Sequence, residues 1–384
     1  MNNKVKIIAA TLAVGMAATL AGCGGCFGCA GCSSCGGDSS SNSLTRSNWF
    51  AGTSYNGIQP SFIEGHENFS KEIVNYAVTY DKDSADNDFV GLDYKDGTFT
   101  TEFYAKKYDW TSSSIPEGYA DDDVKTEVVY YYKTELKIKV QYTMKKSNEA
   151  PSKWFEDHVV TESYFRAAGK HLQPVYSKQE IVSTSPANYQ PKSLKEAYKE
   201  INVVYENFYN YNCTKVLSKT TEDGETSEIV YGKLNKLDHT LFDNSSLYIV
   251  ARSMLKPSSS PSETVALFSA AAGGVDSYTV TGSSSALSDD ERKACTDILE
   301  SAGLYVKGEE DEGIETTAVS LSYAGGNLRG TSQKVWYAAV TSENRDNNVS
   351  RATMLKLSVP ISFSLGTLNY SLISVDSTLW DGKN

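Results

Sequence analysis

Histidine is scarce: four, at 66, 158, 171 and 239, serve all 384 residues. No two stand four apart, so His66-Glu67 opens no H-E-x-x-H zinc-protease helix. No G-x-S-x-G frames a serine nucleophile. Neither a P-loop nor a G-x-G-x-x-G offers a phosphate cradle, so nothing supports a nucleotide cofactor. Basic charge is also in deficit, with 36 Lys and Arg against 48 Asp and Glu, a net charge of −12. Such a chain is repelled by nucleic-acid phosphates and by anionic lipid surfaces, which excludes nucleic acid as a partner. The apolar stretch from Ile7 to Leu20 falls short of the roughly 20 residues that span a bilayer.

What chemistry remains is thin. Ser253-Met254-Leu255-Lys256 matches S-x-x-K, in which the lysine one helical turn away takes the serine proton. No K-T-G accompanies it, Pro257 follows at once, and Ser and Lys are common enough here for chance matches. Asp81, Asp83, Asp86 and Asp88 form an acidic loop whose spacing suits Ca²⁺, but the central Gly and downstream Glu of an EF-hand are missing, so a solvated turn is the simpler reading. Glu309-Glu310-Asp311-Glu312 reads as a solvated charge run. No catalytic residue, metal site or cofactor is nominated.

The N-terminus is more informative. Lys4 and Lys6 precede the apolar stretch, and Leu20-Ala21-Gly22-Cys23 closes it, the layout of an export signal. Leu20-Ala21-Gly22-Cys23 resembles the lipobox of bacterial lipoprotein precursors. The resemblance covers these first residues only. It implies diacylglycerol attached to the Cys23 sulfur, cleavage after Gly22, and a chain anchored by lipid on the outward side of the cell membrane. Two acyl chains hold stably where one holds marginally. Cleavage removes Lys4 and Lys6 and no acid, taking the net charge from −12 to −14. So acidic a body stands off the membrane on its lipids alone.

Behind Cys23 come Cys26, Cys29, Cys32 and Cys35, three residues apart among Gly, Ala and Ser. Bacterial ferredoxins use C-x₂-C-x₂-C-x₃-C-P. This run has x₂ at its last gap and no Pro, so iron or zinc binding by these four is the minor reading beside a thiol-bearing tether. In a polyproline II chain the thiols would line one face about 9 Å apart, beyond the reach of a disulfide. Residues 24–47 give a coil with a reach on the order of 25 Å. Cys213 and Cys295, far downstream, could pair outside the cytoplasm or stay as buried thiols.

The body reads as mainly β: antiparallel sheets in two β-rich halves, 48–190 and 191–384, with one or two short helices. Tyr is abundant, 25 residues against 13 Phe and 5 Trp, and suits sheets with one wet face. From Val128 to Met144 the sequence alternates, Tyr130, Tyr132, Leu136, Ile138 and Val140 on one face and Glu135, Lys137 and Lys139 on the other. That period of two is a half-buried strand. Asp96-Gly97 and Asp223-Gly224 signal tight hairpins, and a third hairpin is expected about Gly169-Lys170. Ser185–Pro191 reads as a linker. Ser288 and Glu291 form a capping box for a helix over 289–302, with Gly303 at its stop. These features point to a non-catalytic surface lipoprotein that holds a protein, glycan or lipid through its sheet. Two alternatives stand beside it: a carrier of lipid or another apolar ligand in a β-sheet cavity, and a cell-envelope hydrolase built on Ser253.

Overall fold

The computed structural model describes residues 71–120, 124–168, 171–234, 241–253, 262–305, 313–323, 332–338 and 353–377. Cys23 and the four tether cysteines lie outside them, as do Lys256, His66, His239 and the acidic run 309–312.

The first half supplies β1 (Lys71–Ala85), β2 (Val90–Asp109), β3 (Thr126–Met144), β4 (Phe155–Ala168), β5 (His171–Pro186), β6 (Tyr198–Tyr209), β7 (Lys215–Glu222) and β8 (Glu225–Gly232). The second supplies β9 (Leu241–Asp243), β10 (Ser262–Ser269), β11 (Gly274–Ser283), β12 (Thr316–Tyr323), β13 (Ser332–Ala338), β14 (Met354–Pro360) and β15 (Leu365–Ser377). Three helices accompany them: α1 (Leu194–Ala197), α2 (Leu247–Ser253) and α3 (Asp289–Ser301). The fold is mainly β, as expected. All the strands join one sheet, in the order β8-β7-β6-β5-β4-β3-β2-β1-β15-β14-β13-β12-β11-β10-β9. β5 and β6 pair directly across the linker expected at 185–191, and β1, the first described strand, pairs with β15, the last. Neighbours are antiparallel except β9 and β10.

β3 behaves as its alternation requires. Leu136, Ile138, Val140 and Tyr142 are buried on one face, while Glu135, Lys137 and Lys139 hold the other. Asp96-Gly97 is not a hairpin. Residues 90–95 and 98–109 are one strand pairing throughout with β3, and the dipeptide is a bulge between Lys95↔Lys139 and Thr98↔Lys137. Asp96 takes φ 55°, and Gly97 lies so close to β1 that a Cβ would meet the Val78 carbonyl oxygen at 2.6 Å. The left-handed residue and close approach that mark a turn serve equally to kink a long strand. The other two hairpins form: Asp223 and Gly224, both with positive φ, join β7 to β8, and β4 pairs with β5 down to Ala168↔His171. The capping box of α3 is complete, and Gly303 stops the helix at φ 69°.

The sheet curls around its own chain. β9, bonded to β10 at one end of the strand order, returns against β5, where Ser177 Oγ donates to Asp243 Oδ2 at 2.7 Å. At the other end, the Tyr231 ring of β8 meets Phe268 of β10 at 5.1 Å. A 3-10 turn over Asn244–Ser246 and helix α2 follow β9 into the enclosed side. All residues from Leu247 to Arg252 are buried. A helix with no wet face belongs inside a core, and this one fills the space the curled sheet would otherwise leave.

Candidate functional site

The inner face is occupied. Arg252 of α2 and Glu72 of β1 form a buried ion pair among Tyr76, Thr101, Tyr132 and Tyr337. The space beside the pair is about 10 Å³, room for one water at most. Hydroxyls of the surrounding tyrosines turn to backbone: Tyr76 donates to the Met354 carbonyl and Tyr337 to the Tyr248 carbonyl, both at 2.8 Å. Burial pushes both phenols well above their ordinary range. Further along, the Asp243 carboxylate accepts from Ser177, from Tyr209 at 2.6 Å and from the Ser245 amide. These contacts pin the segment 241–252 inside the sheet.

The outer face carries two continuous rows. Cross-strand register aligns Tyr104, Tyr131, Tyr164, Tyr176 and Phe208 on β2 to β6, and the row continues as Leu217 and Val230 on β7 and β8. Successive rings lie 4.9, 5.0, 5.7 and 5.1 Å apart, within the favourable range for tilted and edge-to-face pairs. Two residues away on the same face runs Glu102, Lys133, Glu162, Lys178, Glu206, Lys219 and Glu228, one per strand from β2 to β8, alternating in sign at every step. The rows are linked: the Tyr131 hydroxyl donates to Glu162 at 2.8 Å and the Tyr176 hydroxyl to Glu206 at 2.9 Å. Burial, then the Glu162 bond, raises the Tyr131 phenol well beyond its ordinary range. Lys106 reaches over both Tyr131 and Tyr164. Opposite charges directly across a strand pair are favourable and like charges unfavourable, so the two rows together fix the register.

Part of the aromatic row is roofed. After β2 the chain folds back, and Tyr119 packs on Phe208 and Leu217 while Trp110 packs on Val129 and Val175. Tyr104 and Tyr164 remain half-buried at the open part of the face, with the charged row beside them.

The residues singled out from sequence do not converge. Asp81, Asp83, Asp86 and Asp88 end β1 and turn toward β2, and no three metal-ligating side chains gather among the described residues. The loop is held by the residue between the acids. Asn87 is buried, accepts from the Phe89 and Val90 amides at 2.9 Å, and donates to the Tyr189 and Phe363 carbonyls. Cys213 and Cys295 are buried free thiols in separate clusters, not a disulfide. Ser253 ends α2, and its nominated partner Lys256 is outside the described residues. His158 sits on the outer face with Nε2 3.0 Å from Glu135. The two rows were missed because each residue is one ordinary Tyr, Lys or Glu in its own strand, and only the cross-strand register assembles them.

No protein-family model matches this chain, and no curated protein matches it. Among solved structures, the chain is similar to a β-barrel-like protein of domain of unknown function DUF1849 from Brucella abortus. The likeness covers 81% of this chain and 98% of that one, at 12% identity and a TM-score of 0.39.

Proposed function

We propose that this protein is an extracytoplasmic lipoprotein, anchored through lipid on Cys23, that holds a partner on the outer face of its sheet without transforming it. The observation that carries the reading is the pairing of an aromatic row with an alternating charge row across β2 to β8. Aromatic side chains give large contact area at low entropy cost, and a fixed pattern of charges selects among partners. Glycan and peptide arrays, with pull-downs from envelope extracts, test the reading. A specific ligand whose binding drops at least tenfold with Tyr104→Ala plus Tyr164→Ala supports it. Arrays and pull-downs that return nothing specific sink it.

A second reading, the carrier of an apolar ligand, draws on the curled sheet and on the fact that its inner side is filled by a short segment of the same chain. In that reading the segment 241–253 leaves and the ligand takes its place. Native mass spectrometry of the lipidated protein separates the two readings. Co-purified lipid beyond the anchor favours the carrier, and a mass of protein plus anchor alone favours the binding face.

A further inference from the structure

The alternating row stops on β8, and the way it stops says what would extend it. Six of its seven charges face an opposite charge on the next strand in the β8 direction. At the β2 end, Glu102 also takes Lys71. Glu228 has Lys219 on one side, with Nζ 3.0 Å from Oε1, and among the described residues no strand beyond.

β8 is an open edge by its backbone as well. Glu222 and Glu225 flank the two-residue turn Asp223-Gly224 and form its bonded pair, so pairing with β7 uses the N–H and C=O groups of Glu225, Ser227 and Ile229. Those of Thr226, Glu228 and Val230 therefore point away from β7. Residues 225–230 are exposed on both faces, with Ile229 and Val230 at 50% and 61%. Edge strands are ordinarily blocked by lysine, proline, a bulge or a covering element. β8 has no lysine, no proline and no register shift.

We infer that the β8 edge, Thr226 to Val230, accepts an extended peptide strand from a partner protein, with a basic residue opposite Glu228 and an apolar one opposite Val230. This names the partner class within the binding reading above and rests on it. The pattern follows from continuity. β7 already meets the same two positions with Leu217-Ser218-Lys219, so an antiparallel newcomer reads apolar-x-basic from its N-terminus. Main-chain bonds supply affinity, and alternate side chains supply specificity, as in other strand-addition complexes. A second copy of this chain pairing through its own β8 is disfavoured, because β8 carries two glutamates and no basic residue in any register.

The test uses the full lipidated chain in detergent and a capped peptide copying Lys215–Thr221, followed by fluorescence anisotropy. The expected result is saturable binding, weakened on the order of three- to tenfold when the peptide carries Lys219→Glu. With Glu228→Lys in the protein, the preference between the two peptides reverses. Hydrogen exchange adds a second readout: peptide should slow the amides of Thr226, Glu228 and Val230. Equal affinity for both peptides, no binding, or protection elsewhere overturns the inference. So does a dimer in sedimentation equilibrium that Val230→Lys dissolves, since the edge would then belong to a second copy. An array ligand that depends on Tyr164 while the peptide fails would retain the binding face and reject the edge.

Discussion

Arg252 grips Glu72 in a bidentate pair, Nη1 to Oε1 at 2.7 Å and Nη2 to Oε2 at 3.2 Å, across 180 residues of sequence. Both side chains are about 95% buried. The guanidinium sits at the end of α2 and the carboxylate at the start of β1, so the pair fastens the internal helix to the strand that pairs with β15.

Removing one partner should therefore be costly, because the other is left as a buried charge. Arg252→Met is expected to destabilise the fold by about 3–5 kcal/mol. The double change Arg252→Met with Glu72→Gln should recover much of that, since no net charge then remains in the site. Urea unfolding curves at pH 7 check both. A single-variant loss under about 1 kcal/mol would show that the helix is held by apolar packing alone.

How far the sequence discloses this architecture depends on the range of the signal. β3 is legible because Lys133 to Met144 alternates without a break, and α3 because Ser288, Glu291 and Gly303 mark its ends locally. Asp96-Gly97 misleads because a kinked strand and a hairpin need the same local backbone. Helix α2 is hidden because Leu247-Tyr248-Ile249-Val250-Ala251 is apolar throughout, and a short unbroken apolar run has no period to read. The outer rows are invisible for a different reason: Glu102, Lys133, Glu162 and Lys178 become neighbours only through register, which no single strand encodes. The buried pair Glu72–Arg252 is illegible because only the packing of helix α2 against β1 brings the two together.

The alternating row should respond to a reversal at its centre. Lys178 is held above its ordinary pKa first by its bond to Glu180 and then by Glu206 and Glu162. Lys178→Glu gathers four acids on adjacent strands and is expected to cost about 1–2 kcal/mol at low salt, with the loss shrinking at high salt as the repulsion is screened. Thermal unfolding at two ionic strengths measures it. A loss independent of salt would mean that the stem packing of Lys178, not its charge, matters.

Gly97 tests the bulge. A methyl at this position would meet the Val78 carbonyl oxygen and Val78 Cβ, at 2.6 and 2.8 Å, both in a paired strand with little freedom to move. Gly97→Ala should cost about 1–3 kcal/mol. Gly224, in the open turn at φ 81°, has nothing within 4 Å, so Gly224→Ala should cost only about 1 kcal/mol, from backbone strain alone. Denaturant midpoints of the two variants should differ in that order, and equal midpoints would count against the close approach.

The two body cysteines should be silent in the folded protein. Burial pushes the Cys213 thiol up to about 12 and the Cys295 thiol up to about 11, and only the thiolate reacts with disulfide reagents. With Cys23, Cys26, Cys29, Cys32 and Cys35 each replaced by serine, thiol titration at pH 8 should find none in the native protein and two in denaturant. One reactive thiol without denaturant would mean that its cluster opens readily.

Asp157 gives the fold a pH dependence of unusual sign. Its Oδ1 accepts from the Thr184 amide at 2.7 Å and from the Thr184 hydroxyl, while Oδ2 has no hydrogen-bond partner. Burial outweighs these bonds and raises the carboxyl to about 7, against about 3.9 in an unfolded chain. Between those values the folded protein holds a proton there and the unfolded chain does not. Stability then falls as pH rises. The contribution of Asp157 is greatest below pH 4, declines from about pH 4 to 7, and is flat above, with a total on the order of 4 kcal/mol at most. Asp157→Asn keeps an acceptor for Thr184 and removes the ionisation. The variant should unfold at higher urea than the parent at pH 8, and the two should converge near pH 4. Because other carboxylates titrate over the same range, the quantity to measure is the difference between the two proteins from pH 4 to 8. A difference that does not change with pH would show that Asp157 is ionised in the fold throughout, with a charge partner not seen in this arrangement.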